Sequence, residues 1–163
     1  AKYVPEKKLS PRHVAYHPGG KFVYVVNEGS SSVTACRLKG GSIQPVHTLS
    51  TLPADFKERN SCADVEVHPS GKFLYCSNRG HDSVAMFAID QKTGRLTSLG
   101  QEHTEKVPRS FNVDPTGEFL VAAGLRANKL TVFRIAPGTG KLKSLKTYDV
   151  GKGPTWVQIL KQD

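Results

Sequence analysis

Apolar and polar residues follow one another in short runs along this chain, and the runs are separated by glycine, proline and serine. The run Phe22 to Val26 is rich in aromatic and β-branched residues, which are typical of strands. The runs Val33 to Leu38, Phe73 to Ser77 and Lys129 to Ile135 have the same character. No segment shows an amphipathic helical period of useful length. The pattern therefore predicts an all-β protein built from short strands and tight turns.

One motif occurs three times. His17-Pro18-Gly19-Gly20-Lys21-Phe22 returns as His68-Pro69-Ser70-Gly71-Lys72-Phe73 and as Asp114-Pro115-Thr116-Gly117-Glu118-Phe119, at offsets of 51 and 46 residues. Repeats at this period, with β segments on both sides, indicate the blades of a β-propeller. A β-sandwich also has short strands between turns, but it does not explain a repeat in the sequence itself.

The repeats set the predicted organisation of the chain. We expect three four-stranded antiparallel blades over residues 10–52, 60–105 and 107–150, followed by a single closing strand over residues 155–160. Three blades do not normally close a ring. The sequence therefore predicts part of a larger, seven-bladed propeller. The first and the last blade would then each lack a neighbouring blade. We therefore expect the chain to pair with a second copy or with a missing N-terminal half. Residues 1–9 could add one outer strand to the first blade.

Composition and charge narrow the classes of function. The chain has 163 residues, 37% of them hydrophobic, and we find no run of 18 apolar residues, so we expect no membrane association. Three cysteines without a Cys-x-x-Cys spacing favour buried thiols and a cytoplasmic location. The net charge of +9 comes from dispersed lysines and arginines. It favours small anions over nucleic acid, because no platform of interleaved basic and aromatic residues is present.

The hairpin geometry of the blades predicts a site. The first two strands of each blade form a hairpin, which places Arg12 opposite Asn27 and brings strand starts and strand ends together at one mouth of the propeller. Seven polar residues are expected there: Arg12, His13, Glu28, Asp64, Arg79, His81 and Arg109. Arginine matches carboxylate or phosphate in a bidentate way, so the cluster suits an anionic ligand.

Several of these residues also have a purely structural interpretation. Glu28 could simply pair with Arg12, Asp64 could bond its own backbone, and His81 in its loop could have either role. His17 and His68 each precede a proline, and we expect them to satisfy turn backbone. Trp156 is expected to pack within the last strand.

Longer motifs carry a family resemblance. Pro11-Arg12-His13 with Tyr24-Val25-Val26-Asn27-Glu28, then Leu74 to Ser83, then Pro108 to Gly117, resemble the propeller-type lactonase family over nearly the whole chain. That family includes bacterial 6-phosphogluconolactonases and fungal 3-carboxy-cis,cis-muconate lactonizing enzymes. The resemblance implies catalytic roles for Arg12, Glu28 and Arg79. Asp64 stands where many relatives have Glu. The N-terminal blades of the family also supply site residues.

The function expected from the resemblance is hydrolysis of a sugar-phosphate lactone, 6-phosphogluconolactone being the favoured substrate. Arg12 and Arg79 would hold the phosphate or polarise the carbonyl, and Glu28 would act as general base. His13, Asp64, His81 and Arg109 would contact the substrate, and no cofactor or metal is required. Two alternatives stay open: a muconate-type cycloisomerase, and a non-catalytic propeller fragment that acts as a binding or structural module.

Overall fold

The computed structural model describes residues 9–161, which form twelve strands and no helix. The strands make three four-stranded sheets, and each sheet is an antiparallel meander of strands consecutive in the chain. We call them blades 1, 2 and 3. Blade 1 contains β1 (Pro11–Tyr16), β2 (Phe22–Asn27), β3 (Ser32–Lys39) and β4 (Ser42–Ser50). Blade 2 contains β5 (Cys62–Val67), β6 (Phe73–Asn78), β7 (Ser83–Ile89) and β8 (Leu96–His103). Blade 3 contains β9 (Pro108–Val113), β10 (Phe119–Gly124), β11 (Lys129–Ile135) and β12 (Leu142–Asp149). The all-β prediction with four-stranded antiparallel blades is confirmed.

In blades 1 and 2, the second strand is the most buried of the four strands. Every residue of β2 and of β6 is buried, since these strands are covered on both faces. One core cluster joins blade 1 to blade 2 and includes Tyr24, Leu74 and Phe87. A second joins blade 2 to blade 3 and includes Tyr75, Phe111 and Phe133. The blades therefore pack face to face, and apolar burial between sheets stabilises the array.

The repeated turns lock the blades together at one end, which we call the lower rim. His17 lies 3.0 Å from the carbonyl oxygen of Gly71 through Nε2, and its Nδ1 accepts from the amide of Gly19. His68 repeats this contact with Gly117 in blade 3, at 2.8 Å. Each ring therefore donates through Nε2 and accepts through Nδ1. The expectation that both histidines satisfy turn backbone is confirmed, but the link to the next blade was not predicted.

Two details differ from the sequence predictions. Pro11 pairs with Asn27, and Arg12 is the extra residue of a β-bulge between Pro11 and His13, so Arg12 does not lie opposite Asn27. Residues 155–160 do not pair as a strand with any described strand. The amides of Val157 and Ile159 donate instead to side chains of β9, namely Ser110 Oγ at 3.2 Å and Asn112 Oδ1 at 2.7 Å. This segment is thus fixed beside β9 through side chains. The outer strand suggested for residues 1–9 falls almost wholly outside the described residues, and Leu9 is not in a strand.

Candidate functional site

The site residues lie at the opposite end of the blades, which we call the upper rim. Here the inner strands β1, β5 and β9 begin, and β2, β6 and β10 end. Each inner strand has an irregular register at its start. The residues left out of the pairing are Arg12 in β1, Ala63 and Asp64 in β5, and Arg109 in β9. A bulge turns a side chain out of the regular alternation. The same local irregularity therefore aims a polar residue at this rim in all three blades.

Glu28 lies between two guanidinium groups. Its Oε1 accepts from Nη2 of Arg79, and its Oε2 lies 3.8 Å from Nε of Arg12. Arg79 comes from the next blade, and its Nη2 also donates to the carbonyl of Cys62 at 2.9 Å. The pairing of Glu28 with Arg12 is thus present but weak, and the stronger link joins blade 1 to blade 2. Both carboxylate oxygens of Glu28 face positive charge.

His13 and Asp64 form a second pair, which also crosses from blade 1 to blade 2. Nδ1 of His13 lies 2.9 Å from Oδ1 of Asp64. Asp64 is only 8% exposed, and its carboxylate is held by the amide of Val65 at 3.1 Å and by the amide of Phe111 at 3.3 Å. Asp64 bonds its own local backbone, as expected, and also reaches blade 3. Three blades therefore meet at this one carboxylate.

Arg12 connects the two pairs. Its Nη1 donates to the carbonyl of Ala63 at 2.5 Å and lies 3.0 Å from Nε2 of His13. Burial lowers the pKa of Arg12, the positive charges of Arg79 and Arg109 lower it further, and Glu28 and Asp64 oppose the shift. The side chain of Arg109 forms no hydrogen bond or ion pair with another described residue. The rim therefore holds three guanidinium groups and two carboxylates, an excess of positive charge that suits an anion.

A cleft of about 420 Å³ opens beside Arg12. It is lined by Arg12, His13, Val14, Asp64, Val65, Glu66 and Trp156. Glu66 and Trp156 were not among the predicted site residues. The sequence contains a feature that could have identified each of them. Glu66 follows Asp64 by two residues and so shares its face of β5. Trp156 aligns with Ser110 at the repeat offset of 46 residues. Trp156 is 67% exposed in the cleft, contrary to the packing role expected for it.

Glu66 is a carboxylic acid held at the border between blades 2 and 3. Its Oε1 accepts from Nδ2 of Asn112 at 2.6 Å, and its Oε2 accepts from the amide of Val113 at 2.8 Å. Burial raises the pKa of Glu66 to about 7, with the charge of Asp64 adding to the increase and the two hydrogen bonds opposing it. Glu66 thus fixes β9 against β5 directly below Asp64, and its charge varies near neutral pH.

His81 is at the upper rim but faces another cleft. Its ring lies 4.8 Å from the rings of Phe56 and His103, and its Nδ1 lies 2.8 Å from Ser83 Oγ. Burial and the charge of His103 lower the pKa of His81. Arg79 borders a third cleft of about 310 Å³, and its buried Nε lacks a hydrogen-bond partner in the described part of the chain. The structure therefore joins Arg12, His13, Glu28, Asp64 and Arg79 by direct contacts, places Arg109 nearby, and sets His81 apart.

The remaining features of the molecule do not compete with this site. A larger cleft of about 660 Å³ lies near the lower rim between blades 2 and 3, but its Arg134 and Glu118 pair with each other at 3.7 Å and no group of arginines converges there. Cys36, Cys62 and Cys76 are free and buried. Within residues 9–161, no three His, Cys, Asp or Glu side chains are arranged to hold a metal ion. No helix that could cross a membrane occurs over the same residues.

Comparison with known proteins points to one family. A family model described as lactonase, seven-bladed β-propeller, matches residues 1–159. The 6-phosphogluconolactonase of Pectobacterium atrosepticum is 43% identical over 155 residues, which cover 94% of this chain and 47% of that protein. A solved structure of a Lactobacillus plantarum protein superposes with a TM-score of 0.93 at 30% identity, over 98% of this chain and 47% of that one. The periplasmic gluconolactonase of Pseudomonas aeruginosa superposes with a TM-score of 0.86 at 30% identity, over 91% of this chain and 42% of that one. The chain thus spans about half the length of the curated relatives it matches, and it belongs to the seven-bladed β-propeller lactonase family.

Proposed function

We propose that this chain supplies the arginine-rich part of a lactonase site that hydrolyses 6-phosphogluconolactone to 6-phosphogluconate. The observation that carries the proposal is the convergence of Arg12, Arg79 and Arg109. Burial lowers the pKa of Arg12, and repulsion by the other two arginines lowers it further. A phosphate or carboxylate bound at Arg12 would relieve that repulsion. The naming of the Pectobacterium atrosepticum relative as a 6-phosphogluconolactonase supports the substrate class.

In this proposal the arginines bind the phosphate and stabilise the negative charge that develops on the lactone carbonyl oxygen. Glu28 lies between Arg12 and Arg79 and mainly positions Arg79, whose Nη2 donates to its Oε1. Val14 and Trp156 give the cleft an apolar wall against which a sugar ring can lie. The scheme requires no metal or cofactor.

Binding can be measured directly, because Trp156 is the single tryptophan of the chain and lies in the cleft. We expect 6-phosphogluconate to change the tryptophan fluorescence in a saturable way, and gluconate to bind at least tenfold more weakly. The variant Arg12→Gln should abolish the preference for the phosphorylated sugar acid. Arg134→Gln removes an arginine at the lower rim and is the matched control. Equal affinity for both sugar acids would contradict a phosphate site.

Turnover distinguishes the lactonase from the alternatives. Hydrolysis of 6-phosphogluconolactone and cyclisation of a carboxylated muconate are measured side by side on the same sample, each above its spontaneous rate. We expect lactone hydrolysis only, with a large loss in Arg12→Gln. Muconate cyclisation would replace the proposal with the cycloisomerase, and no turnover of either substrate would favour a non-catalytic module.

We also propose that the two open ends of the three-blade array are covered in solution, either by a second copy or by an N-terminal half of the propeller. Large apolar side chains are exposed in β1 and in the segment beside β9: Val14 53%, Tyr16 64%, Trp156 67% and Leu160 72%. Exposed apolar patches of this kind mark interaction surfaces. Size-exclusion chromatography with light scattering tests the proposal, and a monodisperse monomer of 17.8 kDa with a cooperative melting transition would contradict it. A cytoplasmic location stays a prediction.

A further inference from the structure

The groups at the upper rim differ in how free they are to accept a proton. Glu28 was expected to be the general base, but each of its oxygens faces a guanidinium group. Glu28 is therefore placed to position the arginines, since its Oε1 accepts from Nη2 of Arg79 and its Oε2 lies 3.8 Å from Nε of Arg12. The cleft beside Arg12 is lined by a different proton acceptor, His13.

The contacts of His13 fix both the orientation and the tautomer of its imidazole ring. Its Nδ1 lies 2.9 Å from Oδ1 of Asp64, and an acceptor-only carboxylate requires the hydrogen to be on Nδ1. Asp64 cannot turn away, because the amides of Val65 and Phe111 hold it and it is 8% exposed. Nε2 therefore carries the lone pair, and the His13 side chain is 34% exposed, so water can reach it. A buried carboxylate that fixes the tautomer of an exposed imidazole is the arrangement of a general base.

Arg12 covers the imidazole ring of His13. Its Nη1 lies 3.2 Å from Nδ1 and 3.0 Å from Nε2, so it contacts both ring nitrogens and restricts access to Nε2. An anionic substrate competes for the same N–H group, because a charge-assisted hydrogen bond to phosphate or carboxylate is stronger than one to a neutral ring nitrogen. Binding of the substrate would thus draw Arg12 away from His13 and release Nε2 for chemistry.

We propose that the His13–Asp64 pair is the general base of this site and that binding of the anionic substrate to Arg12 unmasks it. The proposal rests on the lactonase function proposed above. Nε2 removes one proton from a water molecule while the water oxygen bonds to the lactone carbonyl carbon. The bond from that carbon to the ring oxygen then breaks, and Nε2–H returns the proton to the ring oxygen as it becomes a hydroxyl group. One water is consumed, and the open-chain acid is formed.

The kinetic test uses His13→Gln and Glu28→Gln. We expect His13→Gln to lower kcat by about 10²–10⁴-fold with KM changed only a few-fold, because a general base contributes to the chemical step and not to binding. The acid limb of the pH dependence of kcat should disappear in His13→Gln and persist in Glu28→Gln, whose main effect should be on KM. Other charged groups surround His13, and any of them could contribute to the acid limb of the pH dependence of kcat: Arg12, Glu28, Asp64, Glu66, Arg79 and Arg109. Comparison of the variants therefore identifies the group responsible. Loss of the acid limb in Glu28→Gln alone would overturn the proposal.

A second measurement does not depend on turnover. Nitrogen NMR of the imidazoles distinguishes the two neutral tautomers, and the His13 signals are identified by their loss in His13→Gln. We expect His13 to carry its hydrogen on Nδ1, whereas His17 in the same spectrum should carry it on Nε2, because His17 donates to Gly71. Addition of 6-phosphogluconate should shift Nε2 of His13 and leave His17 unchanged. The opposite tautomer at His13, or an unshifted Nε2 when the ligand binds, would overturn the dyad even if lactonase activity is present. A correct tautomer and shift without turnover would count against the lactonase and leave the dyad intact.

Discussion

His13 lies near the start of β1 and His17 directly follows its last residue, and the two histidines differ in almost every respect. His17 is 8% exposed and makes only neutral hydrogen bonds, to Gly19 and Gly71. His13 is one-third exposed and sits between a carboxylate and a guanidinium group. Both histidines reach blade 2. The lower rim thus uses histidine as a structural connector, while the upper rim places it among charges.

The difference extends along both rims. At the lower rim, Tyr24 and Tyr75 donate their hydroxyl groups to the carbonyls of Gly94 and Gly140 in the next blade. These contacts satisfy buried polar groups and involve no net charge. At the upper rim, burial lowers the pKa of Arg12, and Arg79 and Arg109 lie close enough to lower it further. Like charges held together oppose folding, so their presence points to a ligand and not to a stabilising role.

The largest expected effect is on the upper rim. Arg79→Gln should reduce kcat/KM for the lactone by about 10²–10³-fold, because a positive group that stabilises developing charge is lost. The free energy of unfolding should change by only about 1 kcal/mol, since the loss is mainly one hydrogen bond to the carbonyl of Cys62 at a partly buried position. Steady-state kinetics and urea unfolding measure the two quantities. Arg134→Gln at the lower rim is the control, and equal losses in both variants would erase the functional contrast between the rims.

The lower rim should show the reverse pattern. A Cβ on Gly140 would overlap with Cδ1 of the buried Phe73, and the positive φ of 69° at Gly140 disfavours any side chain. We expect Gly140→Ala to lower the free energy of unfolding by about 4 kcal/mol, from overpacking and left-handed backbone together. Gly138→Ala in the same turn meets nothing within 4 Å and should be nearly neutral. Thermal and urea unfolding provide the comparison, and ligand binding by the folded fraction should be unchanged.

Glu66 predicts a pH dependence of stability. Its pKa is raised from 4.5 to about 7 in the folded protein, so between these pH values the folded state binds more protons than the unfolded state. The free energy of unfolding should therefore fall as pH rises from about 4.5 to 7, by on the order of 3 kcal/mol, and this contribution should be constant above that range. Glu66→Gln should remove this fall, and Glu118→Gln at the lower rim serves as control. Urea unfolding at a series of pH values measures it, and an identical slope in wild type and Glu66→Gln would refute the assignment.

The smallest effects concern single neutral hydrogen bonds at the lower rim. Tyr75→Phe removes a donor 2.9 Å from the Gly140 carbonyl, and Tyr24→Phe removes one 3.2 Å from the Gly94 carbonyl. We expect each to cost about 1 kcal/mol of unfolding free energy, with the shorter bond of Tyr75 costing more. Differential scanning calorimetry resolves the difference. A change in 6-phosphogluconate affinity in either variant would show that the rims are coupled.

The strand pattern could be read from the sequence almost completely. The four runs named in the sequence analysis each match an observed strand to within one residue at either end, because β-branched runs bounded by turns determine local structure. The segment 155–160 is the exception. It has the composition of a strand, but its amides bond Ser110 and Asn112 side chains, and no described strand pairs with it through the backbone. A strand exists only where a neighbour offers a backbone ladder, and composition cannot supply that neighbour.

The sequence by itself determined the repeat, the all-β class and the identity of the polar residues at the upper rim, since turn chemistry and alternation act over a few residues. Only the tertiary structure decided which of those residues touch. Arg79 reaches Glu28 and His13 reaches Asp64 across 51 positions of the chain, from one blade to the next. The bulge at Arg12 and the exposure of Trp156 in the cleft also arise from packing between blades. Side-chain contacts of a few ångströms depend on the register and spacing of separate sheets, and local sequence does not encode those distances.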